Sequence, residues 1–147
     1  MAKKNDASSS SIELPAGYKP TTKEPFMNER QQEYFRRKLE AWKEEIIRES
    51  RTTIEALQED VGTMPDLADR ASTETDRSLE LRARDRQRKL ISKIDSALRR
   101  IDEGTYGYCE ETGEPISLKR LDARPVATLS LEAQERHERS ERVHRDD

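Results

Sequence analysis

The 147-residue sequence has few of the side chains that build a globular core. Hydrophobic residues make up 31% of the chain and aromatic residues only 5%. A compact domain of this length would need more apolar surface, so either disorder or elongated helices must account for much of the chain. The middle of the sequence is rich in Glu, Arg, Leu, Ala, Gln and Lys and poor in β-branched residues. Elongated helix is therefore the better interpretation.

Cysteine and long apolar runs are also scarce. Cys109 is the single cysteine, which excludes an internal disulfide. No apolar run approaches the ~20 residues of a membrane span, and residues 1–11 have lysines and serines in place of the hydrophobic stretch of a signal peptide. These absences predict a cytoplasmic protein that does not contact a membrane. The net charge of -3, with both signs interspersed, argues against a protein that wraps nucleic acid.

Apolar residues recur at steps of three and four in two segments. The first series consists of Phe35, Leu39, Trp42, Ile46, Ile54, Leu57, Val61 and Met64, with polar Ser50 in register. The second series consists of Leu79, Ala83, Arg86, Leu90, Ile94, Ala97 and Ile101. This spacing predicts two coiled-coil helices. Gly62 and Pro65 separate them, and Gly104 follows the second.

We predict a mainly α fold with a long antiparallel coiled-coil hairpin over residues 28–104, N-capped by Asn28. The alternative is that each helix pairs with another molecule; the short connection favours folding back within a monomer. Residues 1–27 are predicted to be a tail, partly disordered or docked on the globular part. Turn signals in residues 105–147 predict a small globular domain with short strands and a C-terminal helix from Ser130. Three apolar residues are expected to hold that helix against the hairpin: Leu131, Ala133 and Val143.

The connection between the two helices is acidic. Residues 59–76 have six acidic side chains and one arginine, a net charge of -5, whereas residues 77–100 have nine basic and three acidic side chains, a net charge of +6. Asp66 and Asp69 lie three apart at the predicted start of the second helix. They either cap that helix or are presented on a narrow tip, near 62–71, to a basic or metal-bearing site elsewhere. No catalytic set is visible, so the chain is not predicted to be an enzyme.

Five blocks of sequence, in order, closely resemble the DksA/TraR family of bacterial transcription factors. They are NERQ at 28–31, MPDLADRA at 64–71, SLELRARDRQRKLI at 78–91, YGYC at 106–109 and RLDARP at 120–125. The resemblance implies a hairpin that enters the secondary channel of RNA polymerase and modulates open-complex stability together with guanosine tetraphosphate (ppGpp). In this stringent response, ribosomal RNA promoters are repressed and amino-acid biosynthesis promoters are assisted. Sequence-specific DNA binding is not implied.

The resemblance also implies roles for individual residues. Three would form the tip near the polymerase active site: Asp66, Asp69 and Ala71. Three would line a nucleotide site shared with the polymerase: Leu90, Lys93 and Arg124. Arg86 would face the polymerase rim. The family places a lysine of the nucleotide site where this chain has Gln134.

The larger departure from the family concerns zinc. Typical members have two CxxC pairs separated by 17 residues, and the corresponding positions here are Cys109, Thr112, Ser130 and Ala133. One thiolate cannot hold a tetrahedral structural zinc, which needs four Cys or His ligands. We therefore predict no zinc and no cofactor bound by the protein alone. Thr112 and Ser130 are expected to form hydrogen bonds in place of coordination, and three apolar residues to fill the space: Ile116, Leu129 and Leu131.

Two other functions are compatible with a helical hairpin. A transcript-cleavage factor of the Gre type also has acidic residues at its tip, but it stimulates RNA hydrolysis by the polymerase. A coiled-coil scaffold would have no contact with polymerase at all. Cleavage of RNA in backtracked complexes distinguishes the first of these from the regulator, and co-purification with polymerase distinguishes the second.

Overall fold

The chain folds mainly into helices. The computed structural model describes residues 12–61 and 67–146, without the side chains at 53, 57–61, 67–70 and 145–146. Four helices occur in this part of the chain: α1 (Glu29–Val61), α2 (Leu67–Glu103), α3 (Leu118–Ala123) and α4 (Leu131–Asp146). The mainly α prediction is confirmed. The predicted ends of the connection, Gly62 and Pro65, lie outside the described residues, as do residues 1–11.

The short strands expected after residue 105 do not form within the described residues. A single antiparallel bridge joins Tyr108 and Pro115 instead. The segment between them is a tight turn, in which the N–H of Cys109 donates to the carbonyl of Glu114 at 2.8 Å. Outward from the bridge the N–H of Ile116 still donates to the carbonyl of Gly107 at 2.7 Å, but the ladder cannot lengthen further because α2 ends at Glu103 on one side and Ser117 caps α3 on the other.

The start of α1 is fixed by a capping network. The Asn28 side chain accepts the N–H of Gln31 at 2.9 Å, which confirms the predicted N-cap. The buried Gln31 side chain accepts the N–H of Met27 at 2.7 Å and donates to the carbonyl of Thr21 and the carboxylate of Glu24, each at 3.2 Å. One amide side chain therefore satisfies backbone and side-chain groups of the preceding segment, which ties that segment to the helix.

The described part of the chain divides into two compact units. The terminal unit comprises the segments up to Leu39 and from Ser96 onward, and the central unit comprises Glu40–Asp95. Both units contain part of α1 and part of α2.

Ion pairs join α1 and α2 within each unit. In the terminal unit Arg36 Nη2 lies 2.9 Å from Asp102 Oδ1, and in the central unit Lys43 Nζ lies 2.6 Å from Asp95 Oδ1. Residue numbers rise along α1 as they fall along α2, so the two helices run antiparallel. The chain thus pairs its own helices, as the short connection predicted.

The core of the terminal unit surrounds the aromatic pair Phe35 and Tyr106, whose ring centroids are 5.6 Å apart. Its buried hydrophobic residues are Met27, Phe35, Leu39, Ala97, Ile101, Tyr106, Cys109, Ile116, Leu121, Val126, Ala127 and Ala133. Gly107 has a φ of +92°, and a Cβ there would lie 3.1 Å from Met27 Cε and 3.2 Å from Phe26 Cζ. Glycine is therefore required where the segment before α1 packs on the turn after α2.

The inward face of α2 differs from the predicted one in the central unit. Leu79, expected to be inward, is 55% exposed, and Arg86 is exposed as well. The buried Ile94 fixes the rotation of the helix, and counting back in sevens from it reaches Gln87 and Glu80. Leu79 is one residue away from that series and hence about 100° around the helix. The apolar spacing misled the prediction because the true inner positions are polar here.

Several of these inward polar atoms lack partners. No hydrogen bond within the described residues satisfies Nε and Nη2 of Arg77, Oε2 of Glu80 or Oε1 of Gln87, although all four atoms are buried. On α1 the half-buried residues of this unit include Ser50 and Ile54. The helix pairing in the central unit is therefore partly polar and incompletely satisfied.

The C-terminal helix α4 begins where it was predicted. The Ser130 hydroxyl accepts the N–H of Ala133 at 3.2 Å, and Ala133 is fully buried. Leu131 and Val143, expected to pack, are 56% and 57% exposed, so those two contacts were wrongly predicted. Beyond Gln134 every residue whose side chain is described is exposed. The nearly continuous charge of α4 leaves only its first turn with an apolar residue to bury.

Candidate functional site

The predicted tip lies at the start of α2. Asp66 lies outside the described residues, Asp69 belongs to the first turn of α2, and Ala71 is exposed on the same helix. An acidic residue in the first turn interacts favourably with the helix dipole. The cap interpretation and the presented-tip interpretation of Asp66 and Asp69 both stay open on this geometry.

The outward face of α2 in the central unit is basic. Residues at steps of three and four are exposed along it: Leu79, Arg82, Arg86, Lys89 and Lys93. Asp85 is the acidic residue beside them, and it lies 3.4 Å from Lys89 and 3.7 Å from Arg88. The structure therefore brings Arg86 and Lys93 onto one face of α2, with the half-buried Leu90 next to it.

The exposed face of α1 in the same unit has the opposite sign. Its exposed charged residues are Glu40, Glu44, Glu45, Arg48, Glu49, Arg51 and Glu55. Five carboxylates against two guanidinium groups make this face acidic. The two helices thus offer different electrostatic surfaces to a partner.

Arg124 lies in the terminal unit, at the C-terminal end of α3. It is the C-cap residue, and its backbone N–H donates to the carbonyl of Arg120 at 2.7 Å. Its side chain is exposed, and no hydrogen bond or ion pair within the described residues occupies the guanidinium group. Leu90 and Lys93 belong to the central unit, so the three predicted nucleotide-site residues come from two units. Gln134 donates to Glu138 on α4 at 3.1 Å.

Helix α3 is short and is held at several points. Ser117 caps its start by accepting the N–H of Arg120 at 3.2 Å, and Leu121 is fully buried beneath it. The Arg120 guanidinium donates from Nε to the carbonyl of Leu129 at 2.8 Å. A helix of six residues has little stability of its own, so these contacts determine where it sits.

A polar cluster connects α1 with α3. Tyr34 donates its hydroxyl to Asp122 Oδ1 at 2.6 Å, and Lys38 Nζ donates to the same oxygen at 2.7 Å. The Lys38 ammonium also lies 5.6 Å from the centre of the Tyr34 ring. Hydrogen bonds from Lys38 and then Tyr34 hold the pKa of Asp122 below its usual value, while burial and the bond to Asp122 raise the pKa of Tyr34. The carboxylate is therefore the charged centre of this cluster.

The four positions of the family's zinc site do not fit zinc in this chain. Cys109 is 2% exposed, whereas Ala133 has no ligand atom at all. The Thr112 hydroxyl accepts the N–H of Glu114 at 3.2 Å, and the Ser130 hydroxyl caps α4. No group of three or more His, Cys, Asp or Glu residues suited to a metal occurs within residues 12–61 and 67–146.

Hydrogen bonds surround the Cys109 thiol instead. Burial by itself raises the pKa of this thiol, but bonds from the backbone of Ser130, from the hydroxyl and backbone of Thr112 and from the backbone of Glu111 outweigh it and lower the pKa to about 6. At position 112 both the hydroxyl and the backbone contribute to this shift, whereas at position 130 the backbone contributes. Of the apolar residues expected nearby, Ile116 is fully buried and Leu129 half-buried, but the exposed Leu131 was wrongly assigned to this core.

Comparison with known proteins identifies the family. A model described as "DnaK suppressor protein DksA, N-terminal domain" matches residues 31–101, and one described as "Prokaryotic dksA/traR C4-type zinc finger" matches residues 104–139. The chain is 72% identical over 130 residues to a protein of Caulobacter vibrioides named "RNA polymerase-binding transcription factor DksA", with 88% of this chain and 92% of that protein covered. The chain belongs to the DksA family. The predicted resemblance is confirmed.

Other DksA relatives support the same assignment. The protein of that name from Escherichia coli strain K12 is 44% identical over 128 residues, with 85% of each chain covered. The solved structure of transcription factor DksA2 from Pseudomonas aeruginosa is 45% identical, has a TM-score of 0.74, and covers 80% of this chain and 90% of its own. The DksA family consists of transcription factors, so the prediction that the chain is not an enzyme is confirmed.

The zinc-finger match and the residues of this chain disagree. The DksA family model for residues 104–139 describes a C4-type zinc finger, yet one of the four positions here is cysteine. The match must therefore rest on the surrounding turn and helix sequence. The donor set does not fit zinc, because zinc coordination depends on ligand atoms rather than on overall similarity.

Sequence reasoning missed the residues that connect distant segments. Tyr34, Lys38 and Asp122 meet across 84 and 88 positions of the chain, and no local spacing signals such a contact. The inward Arg77 and Gln87 were missed because helical periodicity was read from apolar residues alone. Counting the polar residues in sevens from Ile94 would have found Gln87. Within the described residues, no helix is both long and apolar enough to cross a membrane.

Proposed function

We propose that this chain is a cytoplasmic regulator that binds RNA polymerase through its secondary channel and changes the stability of promoter open complexes. In this proposal ppGpp acts with it at the polymerase interface, repressing ribosomal RNA promoters and assisting promoters of amino-acid biosynthesis. The observation that carries the proposal is the 72% identity, over 88% of this chain, to a protein named as an RNA polymerase-binding transcription factor.

The geometry of the paired helices supports a docking role. Arg86 is exposed on the basic face of α2, where it is available to an acidic protein surface such as a polymerase rim. Lys93 lies seven residues further along the same face, and the cationic Arg124 is exposed in the terminal unit. Cationic side chains of this kind suit the phosphates of ppGpp. The protein itself needs no zinc and no bound cofactor in this proposal.

Substitution of the tip tests the proposal directly. Asp69→Asn removes one carboxylate and keeps the shape of the side chain. We expect inhibition of a ribosomal RNA promoter to be lost in run-off transcription, while binding to polymerase and helix content are retained, because the carboxylate acts after docking. Asp76→Asn is the matched control, since Asp76 is exposed on the same helix outside the motif and carries the same charge.

Other results would point to other functions. If Asp69→Asn abolishes binding, or lowers stability by the ~1 kcal/mol typical of a lost helix cap while transcription is unaffected, the carboxylate serves folding or docking. Shortening of the RNA in backtracked complexes would instead favour a Gre-type cleavage factor. Failure of the wild-type chain to bind polymerase would leave the coiled-coil scaffold.

A further inference from the structure

Hydrogen bonds hold the backbone on both sides of the exposed Arg124. Two residues before it, Asp122 accepts hydrogen bonds from Tyr34 at 2.6 Å and from Lys38 at 2.7 Å. One residue after it, the carbonyl of Pro125 accepts the hydroxyl of Tyr106 at 2.7 Å.

The Arg124 backbone is bonded as well. Its N–H donates to the carbonyl of Arg120 at 2.7 Å, and its own carbonyl accepts the N–H of Ala127 at 3.0 Å. Its φ of -140° and ψ of 83° leave the helical region, so the chain turns at this residue. The hydrogen bonds around Arg124 therefore involve its backbone or neighbouring residues. Within the described residues its guanidinium group has no hydrogen bond or ion pair, which leaves it available to a ligand.

Residues of α1 contact both Asp122 and Tyr106, the two residues whose hydrogen bonds hold this backbone. Tyr34 and Lys38 contact Asp122, and Phe35 contacts the ring of Tyr106 with 5.6 Å between centroids. Tyr106 is buried, and burial raises the pKa of its hydroxyl, so this group stays a hydrogen-bond donor. The contacts also extend to the segment before α1, because Tyr18 packs edge-on against Tyr34 with 6.1 Å between centroids.

We propose that Tyr34, Lys38, Asp122 and Tyr106 are positioning residues that hold the backbone from which the Arg124 guanidinium reaches a polyphosphate ligand. This inference rests on the proposed function, in which that ligand is ppGpp at the polymerase interface. Holding this backbone in place before binding reduces the backbone share of the entropy lost when the phosphate is engaged. Arginine suits the role because its planar fork makes paired hydrogen bonds to phosphate oxygens.

The simpler explanation is that Arg124 only stabilises the end of α3. A cation at a helix C-terminus interacts favourably with the helix dipole. A lysine would serve that purpose equally well, whereas it would not reproduce a forked contact to phosphate. Arg124→Lys therefore separates the two explanations.

The experiment measures the ppGpp concentration that gives half-maximal inhibition of a ribosomal RNA promoter by polymerase with the full-length chain. Tyr34→Phe removes the hydroxyl and keeps the ring that contacts Tyr18 and Phe35. We expect this concentration to rise roughly 3- to 10-fold, as for the loss of one hydrogen bond, while inhibition without ppGpp is unchanged. Asp102→Asn is the control, since Asp102 pairs with Arg36 of α1 and, within the described residues, forms no hydrogen bond or ion pair with α3.

A double substitution tests whether Tyr34 acts through Arg124. If it does, Tyr34→Phe adds little to the loss already caused by Arg124→Lys. An equal loss in both backgrounds, or an unchanged ppGpp response in Tyr34→Phe, overturns the positioning role while the proposed function stands. If the wild-type chain shows no response to ppGpp, the effector part of the proposed function fails and the positioning role fails with it.

Discussion

The terminal and central units contain the same two helices but stabilise them differently. In the terminal unit α1 and α2 bury Phe35, Ala97 and Ile101 against aromatic and apolar residues of the turn and of α3. In the central unit the fully buried apolar residues among the described side chains are Ile46 and Ile94. Among the described residues, further inward positions of α2 include Arg77, Glu80 and Gln87, each of which has at least one buried side-chain atom without a hydrogen-bond partner.

The difference shows that a long helix pair in this chain does not require a well-packed apolar core along its whole length. A coiled-coil pairing survives polar inner positions if one part of each helix is anchored in a well-packed core. Within the central unit the buried Ile94 fixes the rotation of α2, and the polar inner positions follow from it. The central unit is then the less stable part, and the basic face of α2 belongs to it.

The largest loss of stability is expected when the aromatic core of the terminal unit is removed. Phe35→Ala leaves a cavity beside Tyr106 and is expected to lower the free energy of unfolding by about 3–5 kcal/mol. Urea unfolding followed by circular dichroism measures the change. Leu79→Ala is the control in the central unit, where the exposed side chain predicts a change within about 0.5 kcal/mol. Comparable losses in the two variants would contradict the assignment of the core.

A pH-dependent change in the free energy of unfolding is expected from the Cys109 thiol. Its pKa is lowered from 9.0 to about 6 in the folded chain, so the unfolded chain binds more protons between these values. The free energy of unfolding should therefore rise with pH from 6 to 9, and this contribution is lost as pH falls back towards 6. Cys109→Ser should remove that rise, which urea midpoints across the pH series would detect. A chelator should change the stability of neither the wild-type chain nor Cys109→Ser. A drop in wild-type stability with chelator would indicate a bound metal.

The smallest change should come from the polar interior of the central unit. Gln87→Leu replaces a buried amide whose oxygen lacks a partner and is expected to stabilise the helix pair by about 1 kcal/mol. Gln32→Leu is the matched control, because Gln32 Nε2 donates to the Met27 carbonyl at 2.7 Å and its loss should cost about 1 kcal/mol. Hydrogen exchange of α2 amides measures the first change. Destabilisation by both substitutions would mean that Gln87 is satisfied in solution.

Much of the fold followed from local pattern. Asn28 and Ser130 were identified as helix caps because a side-chain oxygen at those positions meets free backbone N–H groups three residues on. The antiparallel pairing followed from two periodic segments with a short connection. The inner face of α2 did not follow, since Leu79 and Arg86 fit the apolar spacing while the buried Ile94 decides the rotation.

The sequence predicted some residues of the candidate site and missed others, for a similar reason. The exposed positions of Arg86, Lys93 and Arg124 agree with the roles that the family resemblance implied, which stay proposals. The cluster around Asp122 was not foreseen, because Tyr34 and Asp122 are 88 positions apart. Contacts of that kind depend on how α3 packs on α1, and neither charge nor spacing along the chain encodes it.

The sequence by itself determined α1, α2 and α4, the caps of α1 and α4, the acidic connection and the loss of three of the four zinc ligands, because each depends on residues close together in the chain or on which atoms are present. Only the tertiary structure decided which face of α2 is inward, how hydrogen bonds surround the Cys109 thiol, and how Tyr34 and Tyr106 hold the backbone around Arg124. Those features depend on packing between distant segments, where the exclusion of water from one well-packed region fixes the geometry of the rest.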